Sequence, residues 1–430
     1  MPAAGRRALQ ATFVCVVTAL VLLLPTIASA KPLYGVQGVS AFDSPEQVTR
    51  DLDRIQRAHM STIRLQAFWA ALEPSAKGTY DPQTLAGLDR VIDGAAARKI
   101  KVVLYVDGTP CWASSAPADL KGSCARSTPS VYRYPPADPQ DFVDISTFLA
   151  ARYQGKLAAY EIWNEPDHRN ELYFAGPDKV QRYVALVKAA YRPLKQVDPK
   201  LPVLAGSFVG TNGAWLKAMY AAGVKGNYDG LAVHFYDLPL YGLSNTRSIQ
   251  RANGDRTPLW LTEYGWSSCY TRGGPAVRLE HACVTAAGQA QNDADTMRAI
   301  ARTSWVKAAI VYNIRDENKD YKFGLFDARD RIKQAYTKLR KLLRGKLGTL
   351  AKPSLRVRAA GGRLVASGSA SQIDVYQVTL SQGSTLLYRA NLRTDRFGRY
   401  KLVLPSTLPT QNVTLRVRSL WSGRSVNVHR

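Results

Sequence analysis

Acidic residues are scarce in this chain. Its 430 residues include 58 Lys and Arg against 33 Asp and Glu, a formal net charge of +25. Such a charge first suggests nucleic acid as a partner, but no nucleic-acid-binding motif accompanies it. The charge instead predicts electrostatic attraction to an anionic cell wall or an acidic glycan. A proteome that is basic throughout would explain the same charge equally well.

No apolar run near the N-terminus is long enough for a stable membrane anchor. The run from Phe13 to Leu24 is shorter than the roughly 20 residues that span a bilayer. Arg6 and Arg7 precede it, and Ala28-Ser29-Ala30 follows it. This is the three-part pattern of a secretory signal peptide over residues 1–30, so we predict a secreted, extracellular protein with cleavage after Ala30.

Cysteines are few, and their spacing does not match a structural zinc site. Cleavage after Ala30 leaves four of the five: Cys111, Cys124, Cys269 and Cys283. Four cysteines allow three connectivities, and neither sequence-near pair has the tight spacing that zinc requires. Because an oxidising compartment favours disulfides, we expect bridges, with the sequence-near pairing closing two long loops, and no metal.

Two glutamates each follow a strand-like apolar run. Glu165 closes the run that starts at Ala159, and Glu263 closes the run that starts at Leu259, each with tryptophans beside it. Cleavage of a glycosidic bond needs such a pair of carboxyl groups. One protonates the leaving oxygen, and the other attacks the anomeric carbon or activates water.

Strand-like runs and amphipathic helical stretches alternate from residue 31 to about 345. Eight strands are predicted, beginning near Gly35, Thr62, Lys101, Ala159, Pro202, Asp229, Pro258 and Lys307. Several are almost wholly apolar, as expected for parallel strands buried on both faces. The pattern predicts a (β/α)8 TIM barrel as the catalytic domain, residues 31–348. A doubly wound sheet is the alternative, but Gly35 to Ser40 lacks its Gly-rich phosphate loop.

Three helix starts are marked by a capping residue followed by proline. They are Ser44-Pro45, which opens a capping box with Gln47, and then Asp81-Pro82 and Asp138-Pro139. Proline fits the first helical turn because the amide that it lacks would have no intrahelical partner there.

The chain changes character near Leu350. Short alternating runs broken by Gly and Pro predict a small antiparallel β-sandwich as an accessory domain, residues 353–430. Its aromatic residues are either carbohydrate contacts or members of its core. They are Tyr376, Tyr388, Tyr400 and Trp421.

The motifs around the two glutamates resemble those of clan A glycoside hydrolases, with families 39 and 5 the most similar. The most specific are Trp163-Asn164-Glu165-Pro166 and Thr262-Glu263-Tyr264-Gly265-Trp266, at the predicted fourth and seventh strands. Thr62-Ile63-Arg64 and His234-Phe235-Tyr236 lie at the second and sixth strands and match as well.

The resemblance implies a role for each glutamate and for two of its neighbours. Glu165 is the expected general acid/base, kept protonated by burial and by the charge of Glu263. Glu263 is the expected nucleophile of a retaining reaction, with the two carboxyl groups about 5–5.5 Å apart. Arg64 and Tyr236 would keep Glu263 ionised and oriented. No cofactor is implied.

Further residues are expected to contact the substrate. The resemblance implies that Asn164 bonds the sugar 2-hydroxyl and that His234 lines the −1 subsite. Tryptophans offer apolar faces to the sugar, and the candidates are Trp112, Trp266 and Trp69. Glu73 is expected to be structural, and Glu161 to lie deeper in the barrel than Glu165, on the same face of the strand.

The chain departs from the clan A pattern at the eighth strand, which in much of the clan ends in a tryptophan. Here Tyr312 or Asn313 would have to serve, unless Trp305 does so from before the strand. The sequence thus predicts a secreted retaining glycoside hydrolase that acts on a polysaccharide or oligosaccharide. A catalytically silent carbohydrate-binding or wall-binding protein, and a transglycosylase, are the alternatives.

Overall fold

Eight parallel strands close into a barrel in which each strand pairs with the next and the last pairs with the first. In the computed structural model they are β1 (Leu33–Gln37), β2 (Thr62–Phe68), β3 (Lys101–Asp107), β4 (Leu157–Ile162), β5 (Val203–Phe208), β6 (Gly230–Phe235), β7 (Leu259–Tyr264) and β8 (Val306–Val311). Every strand begins within two residues of its predicted start. The predicted TIM barrel is confirmed.

The structure describes residues 31–122, 129–209, 213–236, 239–270, 283–318 and 321–430. The predicted signal peptide, residues 1–30, therefore lies outside the described residues. Lys31–Arg430 form one unit, which contains the barrel and the C-terminal strands. Across the described ranges, no helix combines the length and apolar character that a membrane span needs.

Helices connect the barrel strands. They are α1 (Pro45–Arg57), α2 (Trp69–Leu72), α3 (Pro82–Ala97), α4 (Ala118–Lys121), α5 (Pro129–Tyr132), α6 (Pro139–Arg152), α7 (Lys179–Val197), α8 (Ala214–Ala221), α9 (Pro239–Ala252), α10 (Ala286–Ile300) and α11 (Gln334–Arg344). The three predicted capping residues, Ser44, Asp81 and Asp138, each accept a backbone N–H in the first turn of α1, α3 and α6. These caps fix where the helices begin.

Mostly small and branched side chains, together with Trp260, fill the inside of the barrel. Val103, Ala159, Leu204, Ala232 and Ile310 belong to one buried cluster that is contributed by strands around the ring. One layer further towards the carboxyl ends of the strands, charged side chains replace the apolar ones. The barrel is thus a packed core that supports a polar layer at the face where catalytic sites form.

The C-terminal strands form two antiparallel sheets, as predicted. They are β9 (Arg356–Ala360), β10 (Arg363–Ser369), β11 (Tyr376–Gln382), β12 (Thr385–Leu392), β13 (Arg399–Val403), β14 (Thr414–Ser419) and β15 (Ser425–His429). One sheet has the order β13-β10-β9 and the other β12-β11-β14-β15. Tyr376 and Tyr400 are buried in the apolar cluster of this domain, and Tyr388 packs against it. Trp421 instead packs edge-on against Trp305 of the barrel, with 5.8 Å between the ring centroids.

One of the two predicted disulfides is present in the structure. Cys269 and Cys283 are bonded, with their Cα atoms 5.4 Å apart. The other predicted pair includes Cys124, which lies outside the described residues.

Candidate active site

Glu165 and Glu263 lie at the carboxyl ends of β4 and β7, inside the mouth of the barrel. Trp163 and Glu165 adopt left-handed backbone conformations, with φ of 68° and 43°. This is uncommon for residues with a Cβ, and it forms a sharp turn directly after β4. A ligand atom from each of Glu165, His234 and Glu263 falls within 4.8 Å of the others. The fold thus brings together two carboxyl groups that are far apart in sequence.

Two donors orient the Glu263 carboxylate. Arg64 Nη1 donates to Oε1 at 2.5 Å, and the Tyr236 hydroxyl donates to Oε2. Each oxygen therefore has its own donor, which restricts rotation of the carboxylate. The resemblance implied these two contacts, and the structure shows both.

Arg64 is fully buried and joins several polar groups beneath the site. Nε and Nη2 donate to the Glu161 carboxylate at 2.8 and 3.2 Å, and Nη2 also donates to Asn164 Oδ1 at 2.8 Å. Burial opposes the Arg64 charge, but the carboxylates of Glu161 and Glu263 outweigh it and raise the pKa of Arg64. Arg64 therefore stays charged and holds the polar layer in place.

Glu161 lies below the two candidate catalytic carboxyl groups. In addition to Arg64, its carboxylate accepts hydrogen bonds from Ser207 Oγ and, at 3.1 Å, from Thr262 Oγ1. It is completely buried. Glu161 thus supports the site from beneath, the position that strand alternation predicted for it.

Burial raises the pKa of Glu165 to about 7. Glu165 is only 9% exposed to solvent. The negative charges of Asp167 and Glu161 act in the same direction, against the charges of His168 and Arg64. A carboxyl group with this pKa still carries its proton in a large fraction of molecules at neutral pH, as a general acid must.

His234 contacts the candidate acid directly. Its Nδ1 lies 2.8 Å from Glu165 Oε1 and 3.6 Å from Glu263 Oε2. Burial lowers the pKa of His234, so the ring is neutral near pH 7. Its other ring nitrogen, Nε2, is buried and has no hydrogen-bond partner in the described part of the chain. His234 therefore lies between the two carboxyl groups, where it was expected to line the site.

Asn164 is positioned by Arg64. Because Asn164 Oδ1 accepts from Arg64 Nη2, the amide is fixed with its nitrogen on the opposite side. The residue is 6% exposed, about as much as the two glutamates beside it. An amide fixed in this way can donate to a sugar hydroxyl without losing rotational freedom on binding.

The aromatic residue directly after β8 is Tyr312. Its ring packs edge-on against Tyr236 and Phe323, both at 5.8 Å between centroids. Its hydroxyl donates to Glu317. Trp305, the other aromatic candidate at this strand, contacts Trp421 of the C-terminal domain instead. Tyr312 is thus the aromatic side chain at the eighth strand that reaches the site.

The three tryptophans expected to face a sugar are mostly used in packing. Trp266 is 2% exposed and packs against Tyr264, and Trp69 is fully buried with its Nε1 bonded to Glu73. Both rings belong to the core and present almost no surface to a ligand, which corrects the expectation for them. Trp112 is half-buried, and its Nε1 donates to the Glu73 carbonyl at 2.8 Å.

Two residues near the site were not singled out from the sequence. Asp107 ends β3, and its carboxylate accepts from Gln66 Nε2 at 2.7 Å. Burial raises the pKa of Asp107 to about 6. Tyr173, in the loop after β4, is 37% exposed, and the charges of Glu165 and Glu263 contribute to raising its pKa. The strand-end position of Asp107 was a signal that could have identified it.

The grouping of Glu165, His234 and Glu263 also has the composition of a metal site. Here the two oxygens of Glu263 already accept from Arg64 and Tyr236. A cation at this point would have to compete with the buried Arg64 charge. The donor set therefore suits a carboxylate nucleophile better than a metal ligand.

Residues 27–315 match the model of the cellulase family, glycosyl hydrolase family 5. The chain belongs to glycosyl hydrolase family 5. It is accordingly a glycoside hydrolase, and its substrate class is carbohydrate. No curated protein matches the chain.

Several solved structures of glycoside hydrolases have the same fold as this chain. A family 39 enzyme from the gut symbiont Bacteroides cellulosilyticus WH2 is 16% identical with a TM-score of 0.56, over 87% of this chain and 81% of that one. The family 39 enzyme from Xanthomonas axonopodis pv. citri is 14% identical with a TM-score of 0.53, over 88% and 92%. The endo-β-1,4-mannanase from Thermotoga petrophila is 13% identical with a TM-score of 0.51, over 93% and 97%.

Proposed function

We propose that this chain is a secreted, retaining glycoside hydrolase in which Glu165 is the acid/base and Glu263 the nucleophile. The separation of the two carboxyl groups carries the proposal. One carboxylate oxygen of Glu165 lies within 4.8 Å of one of Glu263. Retaining enzymes hold the carboxyl groups about 5–5.5 Å apart, whereas inverting enzymes keep about 6.5–9.5 Å to admit a water molecule.

The surroundings of the two groups suit opposite roles. Glu263, with a donor on each oxygen, attacks the anomeric carbon while the protonated Glu165 gives its proton to the departing oxygen. This step forms a covalent glycosyl ester on Glu263. In the second step Glu165 removes a proton from water, the water oxygen attacks the anomeric carbon, and the ester bond breaks.

The substrate that we propose is a β-linked polysaccharide or oligosaccharide. Among structures with the same fold are an endo-β-1,4-mannanase and a β-xylosidase from Caulobacter crescentus CB15. The net charge of +25 favours association with an acidic glycan or an anionic wall. If that attraction steers binding, added salt should slow turnover of charged polymers more than turnover of neutral ones.

Export remains part of the proposal and rests on the N-terminal sequence. Two arginines, an apolar stretch and Ala28-Ser29-Ala30 support cleavage after Ala30. The bond between Cys269 and Cys283 fits an oxidising compartment. N-terminal sequencing of the protein recovered outside the cell would test this, with Lys31 expected as the first residue.

The test of the mechanism is intact-mass analysis after incubation with a panel of 2-deoxy-2-fluoro glycosyl fluorides. The fluorine slows both steps, and the good leaving group lets the glycosyl-enzyme accumulate. A mass increase that maps to Glu263 and is missing from Glu263→Gln would support the proposal and reveal the −1 sugar. Inversion of configuration in the product of an active enzyme would overturn it.

A transglycosylase would use the same residues and differ only in the acceptor. Product analysis with and without an added acceptor glycan separates the two reactions. A silent binding protein is disfavoured because both carboxyl groups are present and lie close together.

A further inference from the structure

A cleft of about 530 Å³ lies between the barrel and the C-terminal domain, away from the two glutamates. Arg298 of α10, Arg302 and Trp305 line it from the barrel, and Trp421 and Arg424 line it from the other domain. Trp305 directly precedes β8, so the cleft opens near the amino ends of the strands. Its volume is in the range of natural small-ligand sites.

Three arginines line the cleft, Arg298, Arg302 and Arg424. The guanidinium groups of Arg298 and Arg424 are held by hydrogen bonds, and each keeps N–H groups that could donate to a ligand. Arg298 donates from Nε to the Leu347 carbonyl at 3.1 Å and from Nη1 to Asp295 at 3.0 Å. Arg424 donates from Nη1 to Thr349 Oγ1 at 2.6 Å and to the Leu350 carbonyl. Within the described residues, Nη2 of each arginine has no hydrogen-bond partner, so both groups are preorganised for an acceptor.

The third guanidinium adds a charge that pairs with no acidic side chain in the described part of the chain. Arg302 is exposed, and no acidic side chain lies among the cleft-lining residues. Asp295 does not line the cleft. Of the three arginines it pairs only with Arg298, with 3.0 Å between Asp295 Oδ1 and Arg298 Nη1. An anion that entered the cleft would therefore meet a net positive wall.

The indole rings supply the apolar part of the cleft. Trp305 and Trp421 pack edge-on at 5.8 Å, and both remain partly exposed. Indole faces accept the C–H bonds of a sugar ring, while guanidinium forks match the planar geometry of a carboxylate. A ligand that uses both features is a saccharide with a carboxylate on its ring.

We propose that this cleft is a second carbohydrate site that binds a uronate unit of an acidic glycan. The arginines would contact the carboxylate, and Trp305 or Trp421 would pack against the ring. The site does not depend on the proposed mechanism, because it shares no residue with the catalytic pair. It would hold an acidic polymer on the enzyme while another part of that polymer enters the barrel.

Isothermal titration calorimetry of the full chain with trigalacturonate and with trimannuronate tests the proposal. The fully methyl-esterified form of each trimer is its matched neutral ligand. We expect at least one acidic trimer to bind and its neutral counterpart to bind about tenfold more weakly or worse. Absence of binding by both acidic trimers would overturn the proposal.

Substitutions test whether the acidic trimer binds in this cleft. Arg302→Gln should weaken affinity for the acidic trimer about tenfold and leave kcat/KM on a small aryl glycoside unchanged. Arg358→Gln removes another exposed charge, on β9, and should leave the affinity unchanged. Asn164→Ala, in the catalytic site, should also leave it unchanged.

Two results would contradict the assignment. Equal loss of affinity in Arg302→Gln and Arg358→Gln would mean that the trimer responds only to overall charge. Loss in Asn164→Ala without loss in Arg302→Gln would place the trimer in the barrel. Neither result bears on covalent labelling of Glu263, so failure here and failure of the proposed function are distinguishable.

Discussion

Arg64 on β2 donates a 2.5 Å hydrogen bond to Glu263 on β7, between two strands that do not pair with each other. The same guanidinium also contacts the Glu161 carboxylate from β4. One buried cation therefore pairs with two carboxylates that come from separate parts of the barrel wall. Both the fold and the candidate nucleophile depend on this single side chain.

Replacing Arg64 should destabilise the protein strongly. In Arg64→Ala, Glu161 and Glu263 would remain buried without a counter-charge, and we expect the free energy of unfolding to fall by about 3–5 kcal/mol. Urea titration followed by circular dichroism measures this. Arg152→Ala breaks the more exposed pair with Asp89 and should cost at most about 1 kcal/mol. Similar losses in the two variants would contradict a special role for Arg64.

The activity should fall as the pH rises through about 7. Burial raises the pKa of Glu165 to about 7, and above that value the group has lost the proton that it must donate. The pH profile of kcat/KM should therefore have a basic limb near 7, and Glu165→Gln should lack that limb. The same variant should lose about 10²–10⁴-fold in kcat on a natural glycan, and much less on a dinitrophenyl glycoside. An unchanged basic limb in Glu165→Gln would assign it to another group.

The Tyr236 hydroxyl should matter for rate and little for stability. Tyr236→Phe removes one of the two donors to Glu263, so we expect kcat/KM to fall about 10- to 100-fold. Steady-state kinetics on an aryl glycoside measures this, with a melting curve to show that the fold is kept. Tyr191→Phe removes a hydroxyl that bonds Asp229 outside the site and serves as the control. A rate equal to that of the parent would show that Arg64 alone orients the nucleophile.

Asp293 on α10 should make the protein less stable as the pH rises. It is fully buried, and neither carboxylate oxygen has a hydrogen-bond partner among the described residues. Burial raises the pKa of Asp293 well above its usual range, against the charge of Lys333. The unfolded chain loses this proton near pH 4, whereas the folded chain keeps it, so stability falls with pH above that point.

Asp293→Asn should remove this pH dependence. Between pH 5 and pH 8, we expect the Tm of the variant to fall less than the Tm of the parent. Asp93→Asn, at an exposed site, should follow the parent. Parallel loss of Tm in all three proteins would mean that Asp293 ionises in the folded state at an ordinary pH.

The strands could be located from the sequence because the barrel buries both faces of each one. A run such as Val102 to Val106 is apolar throughout, and apolar runs of that length separated by helices leave few other folds open. The two glutamates were identifiable for a related reason. Each directly follows or closes such a run, and the carboxyl ends of all eight strands meet at one face.

The surroundings of the tryptophans could not be read in the same way. Trp69 directly follows β2, and Trp266 lies two residues after β7. The chain has left the sheet at both points, so alternation no longer decides which way the side chain points. Both turn into the core. Asp107 ends β3 and could have been identified from that position, but its hydrogen bond with Gln66, 41 positions away, follows from no local pattern. Tyr173 lies in a loop, which has no periodicity.

The contacts between the barrel domain and the C-terminal domain determine what a shortened chain would expose. Asn292 donates to Gln372 at 2.8 Å, Asp295 accepts from Ser371 at 2.7 Å, and Trp305 packs against Trp421. A barrel produced without residues 353–430 would expose an indole ring and two polar side chains whose present partners are gone. The C-terminal domain thus covers an apolar part of the barrel surface, and a barrel transplanted alone into another enzyme would carry the exposed Trp305 ring with it.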